Sequence, residues 1–268
     1  MRYAVNCSLL FTEVPLLERP AAAADAGFTA VEFWWPFATS VPSDAEVDRF
    51  VTAVGDAGVQ LVGLNVAAGD MPAGDRGLVS WPGRETEFAD TVAVIVGIGE
   101  RTGCRAFNAL YGNRLDGVDP QAQDDLGAAN LALVAEAVAA IDGTVLLEPV
   151  SGAPAYPLCT AADVLAVLDR VGAPNTGLLA DLYHLAVNGD DVDAVLAAHA
   201  DRIAHVQVAD APGRGEPGTG ELPLARQLDA LADRGYAGWV ALEYKPATTT
   251  TEGLAWLPRE QRAAVQPA

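Results

Sequence analysis

The sequence predicts an α/β protein folded as a single (β/α)8 TIM barrel, and three observations support this fold class. Short apolar segments alternate with longer alanine-rich segments through eight rounds, which is typical of parallel strands joined by helices. The 268 residues give about 33 residues per round, the size expected of such a barrel. An open, doubly wound sheet usually carries a glycine-rich loop after its first strand, whereas the segment from Asn6 to Leu10 contains no glycine.

The strands and helices can be placed along the chain from the apolar runs and from the glycines that end helices. We predict strands at Tyr3–Ser8, Ala30–Trp34, Gln60–Asn65, Ala106–Leu110, Thr144–Glu148, Thr176–Asp181, Ile203–Val208 and Trp239–Tyr244. We predict helices at residues 16–26, 44–57, 85–101, 124–141, 161–171, 190–200 and 223–234, and a weaker final helix or tail at residues 252–268. Glycine follows six of these helices, at Gly27, Gly58, Gly103, Gly143, Gly172 and Gly235.

We predict one domain over residues 1–268, because no linker or change of composition divides the chain. Two connections, residues 66–84 and 111–119, are longer than the others. Connections of this length are often functional or disordered, so both are candidates for one of these roles.

The charge of the chain argues against nucleic-acid and membrane partners. The sequence has 36 acidic and 16 basic residues and a net charge of −20 at pH 7, and a field of this sign repels phosphate backbones and anionic lipids. The only lysine is Lys245, and no run of basic residues occurs. The sequence leaves open whether the chain forms a homo-oligomer.

A cytoplasmic location is expected from the termini, the apolar runs and the cysteines. The N-terminus lacks the apolar run of a signal peptide, and no stretch of about 18 apolar residues predicts a transmembrane helix. The three cysteines, Cys7, Cys104 and Cys159, are widely spaced and form no CxxC motif. Free thiols are typical of a reducing compartment.

Polar residues stand at the end of every predicted strand, at Asn6, Glu32, Asn65, Asn108, Glu148, Asp181, Gln207 and Glu243. In a (β/α)8 barrel the C-terminal ends of the strands meet at the face that carries the active site. Residues two apart on a strand share a face, so His205 points the same way as Gln207. The sequence therefore predicts an apolar barrel interior below a ring of polar groups.

Three of these strand-end residues, Glu148, Asp181 and Glu243, are carboxylates. Two ionised carboxylates about 5 Å apart repel each other by about 3 kcal/mol at an effective dielectric constant of 20. Three carboxylates in one site must therefore take up protons or bind a cation. Lys245 has the same strand parity as Glu243 and is one source of positive charge; a divalent metal is another.

The type of metal is suggested by the ligand atoms. Carboxylates together with the carbonyl oxygen of Gln207 favour a hard ion such as Mg²⁺ or Mn²⁺. His184 and His205 lie nearby in the sequence and keep Zn²⁺ or Co²⁺ as less favoured alternatives.

Six short segments of the chain form a recognisable set: Leu10–Pro15, Ala30–Phe33, Gly69–Asp70, Pro82–Glu85, His205–Gln207 and Glu243–Pro246. Together they resemble the bacterial hydroxypyruvate isomerases, which belong to the xylose-isomerase-like TIM barrel superfamily. The resemblance extends from near Asn6 to about Trp256. The resemblance implies a divalent metal held by Glu148, Asp181, Gln207 and Glu243, with Glu148 and Glu243 as the proton-transfer pair.

The reaction implied is the interconversion of hydroxypyruvate and tartronate semialdehyde through an enediolate, an aldose–ketose type shift of a small hydroxy-oxo acid. We expect His184 and His205 beside the metal or on the substrate. We expect Lys245, with an arginine such as Arg84, to bind the substrate carboxylate. The remaining candidate substrate-binding residues are Asn65 and Asn108.

The exact substrate stays open, because the segments Pro149–Pro154, Asn108–Gly112 and Asp210–Arg214 depart from the usual pattern of these isomerases. Arg214, in the glycine- and proline-rich loop after the seventh strand, is interpreted as a residue of a mobile surface loop. A 2-oxo-tetronate isomerase and a ketose 3-epimerase on the same scaffold are the nearest alternatives. A nuclease akin to the apurinic endonucleases is disfavoured, because those use many histidines around zinc and this chain has three in all. A non-catalytic binding protein is disfavoured because unused buried charges are costly to keep.

Overall fold

The eight strands of this protein, in a computed structural model that describes residues 1–263, form a closed parallel barrel in sequential order. The strands are β1 Arg2–Asn6, β2 Ala30–Phe33, β3 Gln60–Asn65, β4 Ala106–Asn108, β5 Thr144–Leu147, β6 Thr176–Asp181, β7 Ile203–Val208 and β8 Trp239–Leu242. β1 and β8 pair in parallel, with Val5 opposite Leu242, and this pairing closes the sheet. The predicted (β/α)8 barrel is therefore confirmed, and each strand end lies within two residues of its prediction.

Helices follow the strands around the barrel. They are α1 Arg19–Asp25, α2 Asp44–Asp56, α3 Glu85–Thr102, α4 Pro120–Ala139, α5 Ala161–Val171, α6 Leu182–Asn188, α7 Val192–His199, α8 Leu224–Asp233, α9 Thr250–Gly253 and α10 Arg259–Arg262. α4 begins before its predicted start, because the side chain of Asp119 accepts a hydrogen bond from the backbone amide of Gln121 and caps the helix.

The prediction of a single helix at residues 190–200 was incomplete, because α6 starts directly after β6 and precedes α7. The carboxylate of Asp181 caps α6 by accepting hydrogen bonds from the backbone amides of Tyr183 and His184. Gly189, with φ of 94°, ends the helix. This short helix brings His184 back to the strand end that carries Asp181.

The end of the chain contains the short helices α9 and α10 where a final helix or tail was predicted. The last part of that prediction, residues 264–268, lies outside the described residues. In the described part of the chain, no helix combines the length and apolar character needed to cross a membrane.

The barrel interior has a layer of small apolar side chains. Four buried residues form a cluster apart from the main core, namely Ala4, Ala30, Val62 and Ala241. Because side chains alternate along a strand, Ala4 shares a face with Asn6 and Ala241 shares a face with Glu243. On β1 and β8, the inward face therefore has the predicted order, with an apolar side chain in the barrel interior and a polar side chain at the strand end.

Candidate active site

A cavity of about 360 Å³ opens at the C-terminal ends of the strands. Its lining includes five of the predicted site residues: Asn65, Glu148, His184, Glu243 and Lys245. The lining also includes residues that the sequence interpretation had not selected: Trp34, Met71, Pro72, Arg76, Leu110, Val150, Ser151 and Arg214. A larger groove of about 750 Å³ on the outer surface, beside α1 and α2, contains none of the predicted site residues.

Three buried groups, Glu148, Asp181 and His184, present ligand atoms that all lie within 4.8 Å of one another. Glu148 follows β5, Asp181 ends β6, and His184 is in the first turn of α6. The Nε2 atom of His184 is 3.5 Å from Oδ2 of Asp181. The barrel therefore brings Asp181 and His184 close to Glu148, although both lie at least 33 residues after it in the sequence.

The protonation of His184 follows from its contacts with Ser151. The backbone amide of Ser151 donates to Nδ1 of His184 at 3.0 Å, and the Ser151 hydroxyl lies 2.7 Å from the same nitrogen. Because a backbone amide can only donate, Nδ1 accepts, and the neutral ring has its proton on Nε2. Burial lowers the pKa of His184, which favours this neutral form. His184 thus presents an N–H donor beside Asp181.

Two buried glutamates have strongly shifted acidities. Burial, assisted by the nearby charge of Asp181, raises the pKa of Glu148 to about 8. Burial also raises the pKa of Glu243 well above its ordinary value, although the positive charge of Arg214 opposes the shift. Asn108 donates to Oε1 of Glu148 at 2.7 Å. Both carboxyl groups therefore hold protons more strongly than exposed glutamates do.

Arg214, in the loop after β7, joins two of the strand-end carboxylates. One of its terminal nitrogens contacts Oδ2 of Asp181 at 3.3 Å and also donates to Oε1 of Glu243. Its Nε donates to the backbone oxygen of Glu243 at 3.3 Å. The sequence interpretation missed Arg214, whose glycine- and proline-rich loop resembled mobile surface. The signal available was the position of this loop directly after a strand end of the barrel.

Glu32 on β2 connects several polar strand ends beneath the cavity. Its Oε1 accepts from Asn6 at 2.8 Å and from Gln207 at 2.7 Å, and its Oε2 accepts from Nε2 of His205 at 2.7 Å. Burial opposes ionisation of Glu32, but His205 and the hydrogen bonds outweigh it and lower the pKa of the carboxyl group. His205 therefore contacts Glu32 and does not line the cavity.

The amide orientation of Gln207 leaves an oxygen without a partner. Its Nε2 donates to Glu32, whereas its buried Oε1 has no hydrogen-bond partner among residues 1–263. An unsatisfied buried carbonyl oxygen costs about 1–3 kcal/mol, and a bound cation would remove that cost. This oxygen and the carboxylates of Glu148, Asp181 and Glu243 fit the all-oxygen ligand set that Mg²⁺ and Mn²⁺ prefer.

The other predicted substrate-binding residues have different positions. Asn65 lines the cavity, and its Oδ1 accepts a hydrogen bond of 3.3 Å from Asn108. Lys245 is exposed at the cavity edge, and its backbone amide donates to Arg214. Arg84 does not line the cavity; its guanidinium contacts Glu87 at 2.6 Å and lies 3.8 Å from Asp75.

Comparison with known proteins supports one family along the whole chain. The family described as "Xylose isomerase-like TIM barrel" matches residues 20–260. A Streptomyces coelicolor protein named "Putative hydroxypyruvate isomerase" is 52% identical and covers 98% of this chain and 98% of its own length. The Escherichia coli protein named "Hydroxypyruvate isomerase" is 33% identical and covers 96% of this chain and 98% of its own length.

Two further proteins that match this chain carry different names. A Cupriavidus necator protein named "2-oxo-tetronate isomerase" is 35% identical and covers 96% of this chain and 97% of its own length. The crystal structure of "AP endonuclease, family 2" from Brucella melitensis is 34% identical, with a TM-score of 0.87, and covers 95% of this chain and 97% of that chain. The fold, the strand-end site and these matches lead to one conclusion: this chain belongs to the xylose isomerase-like TIM barrel family.

Proposed function

We propose that this protein is an isomerase that interconverts hydroxypyruvate and tartronate semialdehyde (2-hydroxy-3-oxopropanoate). The observation that carries the proposal is a pair of buried glutamates, Glu148 and Glu243, on one cavity at the C-terminal end of the barrel. Both carboxyl groups are buried and each accepts a hydrogen bond from an asparagine, and a carboxyl group held in position can act as a general acid or base. The relatives named hydroxypyruvate isomerase support this assignment.

The two glutamates divide the proton transfer between them. In the proposed reaction one carboxylate removes a proton from C3 of hydroxypyruvate, and the electron pair of that bond forms the double bond of an enediolate. The other carboxyl group delivers a proton to C2, the hydroxyl proton on the C3 oxygen passes to the C2 oxygen, and C3 becomes the aldehyde carbon. Because the reaction is reversible, Glu148 and Glu243 exchange the roles of acid and base with direction. Asn108 and Asn6 orient them by donating one hydrogen bond to each.

Glu148, Asp181, Gln207 and Glu243 are the residues that would hold a divalent metal, Mg²⁺ or Mn²⁺. When bound, the ion would supply Lewis-acid stabilisation of the negative charge that develops on the substrate oxygens. An ion bound by both Asp181 and Glu243 would replace their present contacts with Arg214. His184 and Lys245 both line the cavity; the Nε2–H group of His184 would donate to a substrate oxygen, and Lys245 would add positive charge for a carboxylate.

Proton exchange in D₂O, followed by NMR with Mg²⁺ or Mn²⁺ present, tests this function. Hydroxypyruvate should take up deuterium at C3, and the aldehyde signal of tartronate semialdehyde should appear. Turnover only of a four-carbon 2-oxo acid would move the activity to the 2-oxo-tetronate isomerases, which the Cupriavidus relative favours as the second candidate. Inversion of a neutral ketose without formation of an aldose would instead indicate a 3-epimerase.

Nuclease activity, suggested by the name of the Brucella structure, is not proposed for this chain. The net charge is −20 and the sequence has three histidines, one of which, His199, is at the end of α7 rather than at a strand end. We propose one barrel domain over residues 1–268 that acts on a small substrate. A gel-shift titration with abasic duplex DNA at low salt should show no complex, and a salt-sensitive complex would contradict this conclusion.

A further inference from the structure

Two cations on the cavity have no acidic partner in the described part of the chain. Arg76 and Lys245 both line the cavity, and neither lies within ion-pair distance of a described carboxylate. The third cation of the lining, Arg214, contacts Asp181 and Glu243. Arg76 and Lys245 therefore leave positive charge on the cavity wall that an anionic ligand could pair with.

The position of Arg76 is set by its own loop. Its Nη1 donates to the backbone oxygens of Met71 at 3.0 Å and Asp75 at 2.6 Å. Its backbone oxygen accepts from the amide of Gly112 at 3.0 Å, which ties the loop after β3 to the loop after β4. Three of the five guanidinium N–H groups, those on Nε and Nη2, have no acceptor among residues 1–263.

The neighbouring glycine explains why this loop keeps its position. Gly77 has φ of 122°, and its backbone amide donates to Ala68 at 2.9 Å. A Cβ atom at Gly77 would overlap the backbone carbonyl of Leu110. Because only glycine permits this close approach, the backbone next to Arg76 packs directly against the loop after β4.

We infer that Arg76 binds the carboxylate of the substrate and thereby makes the enzyme select 2-oxo acids over neutral ketoses. This inference rests on the proposed function. The planar guanidinium group can donate two parallel hydrogen bonds to a carboxylate, and such charge-assisted pairs are among the stronger hydrogen bonds in proteins. A neutral ketose in the same cavity would leave the Arg76 charge without a partner.

Arg76 takes the role that the sequence had suggested for Arg84. The two arginines lie in the same loop region, but the Arg84 guanidinium is paired with Glu87 and Asp75. Arg76 lines the cavity together with Glu148 and Glu243. A three- or four-carbon acid whose carboxylate contacts Arg76 can therefore lie in the same cavity as the glutamate pair.

The test compares Arg76→Gln with Arg76→Lys, Arg84→Gln and Arg101→Gln, the last removing a charge that is paired with Asp48 on the outer helices. Each variant is assayed with hydroxypyruvate and with dihydroxyacetone, a neutral ketose with a hydroxymethyl group in place of the carboxylate. Arg76→Gln should raise KM for hydroxypyruvate about 10- to 100-fold, the effect expected for a lost charge-assisted hydrogen bond. Its kcat should change much less, Arg76→Lys should restore part of the affinity, and Arg101→Gln should match the wild type.

Several results would overturn the inference. They are an unchanged KM in Arg76→Gln, equal losses for the acid and the neutral ketose, a larger KM effect in Arg84→Gln, or equal wild-type kcat/KM for both substrates. The wild-type comparison needs no variant, so it can overturn the inference even if Arg76→Gln does not fold, and Arg76→Lys then tests the residue itself.

A binding measurement separates this inference from the proposed function. D-glycerate has a carboxylate but no carbonyl group, and glycerol is its neutral counterpart. Calorimetry should show that the wild type binds D-glycerate more tightly than glycerol, and that Arg76→Gln loses this preference. A wild type that turns over no 2-oxo acid but shows this pattern would refute the proposed isomerase activity alone. No preference for D-glycerate in the wild type would refute the inference alone.

Discussion

Binding of a divalent metal to this protein should become weaker as the pH falls below 8, because the carboxyl group of Glu148 must lose its proton before it can bind an ion. Burial, with a contribution from Asp181, raises the pKa of Glu148 from 4.5 to about 8. At a pH between 4.5 and about 8, Glu148 in the metal-free folded protein therefore keeps a proton that an exposed glutamate would have lost. Metal binding must therefore release it.

The size of the effect follows from the ionised fraction. With a pKa of about 8, roughly half of the Glu148 carboxyl groups are ionised at pH 8, about 9% at pH 7 and about 1% at pH 6. The apparent dissociation constant for Mn²⁺ should therefore rise roughly 50-fold between pH 8 and pH 6. The raised pKa of Glu243 adds to this dependence in the same direction.

Titration calorimetry of the metal-free protein with Mn²⁺ measures both the dissociation constant and the number of protons released on binding. Repeating the titration at pH 7 in buffers with different ionisation enthalpies should show the release of about one proton, and of more than one if Glu243 also contributes. Glu148→Gln should bind more weakly at pH 8 and depend less on pH, whereas Glu136→Gln, an exposed residue on α4, should behave as the wild type. A wild-type affinity that is constant from pH 6 to pH 8, with no proton released, would refute the reasoning.

Three further predictions concern other residues of the site. Glu243→Gln should lower kcat by about 10²–10⁴-fold, the usual contribution of a general acid or base, with little change in the melting temperature; a kcat within threefold of the wild type would exclude Glu243 from proton transfer. Glu32→Gln replaces one carboxylate oxygen with an NH₂ donor, so the side chain can no longer accept from Asn6, Gln207 and His205 together. The amide of Gln207 should be held less firmly and Mn²⁺ affinity should fall by about tenfold, since partners that orient ligands typically contribute 10- to 100-fold; an unchanged affinity in a folded variant would contradict this positioning role. Gly77→Ala should destabilise the protein by more than about 1 kcal/mol and raise KM, because its Cβ would meet backbone. Gly74→Ala is the matched control, since Gly74 also has positive φ but no atom within 4 Å of the added Cβ; equal losses in thermal unfolding would attribute the effect to backbone strain alone.

The fold and the ring of polar strand ends could be predicted from the sequence because both are encoded by local patterns. Apolar runs mark strands, alanine-rich segments mark helices, and glycines end the helices, each within about ten to twenty residues. Strand parity then places Gln207 and His205 on one face, and barrel geometry brings Glu148 and Glu243 to one end. The short helix α6 was not predicted from these patterns, because Asp181, which caps its N-terminus, was identified only as a strand-end carboxylate.

The choice among the arginines was decided only by the tertiary structure. The sequence suggested Arg84 as a ligand for a carboxylate and Arg214 as a surface residue. In the structure Arg84 pairs with Asp75 and Glu87, and Arg214 contacts Asp181 and Glu243. The physical reason is that side chains in loops have no fixed periodicity, so their direction depends on contacts made after the barrel closes. Arg76 lines the cavity because its loop packs against the one after β4, and a contact between loops more than thirty residues apart leaves no local pattern in the sequence.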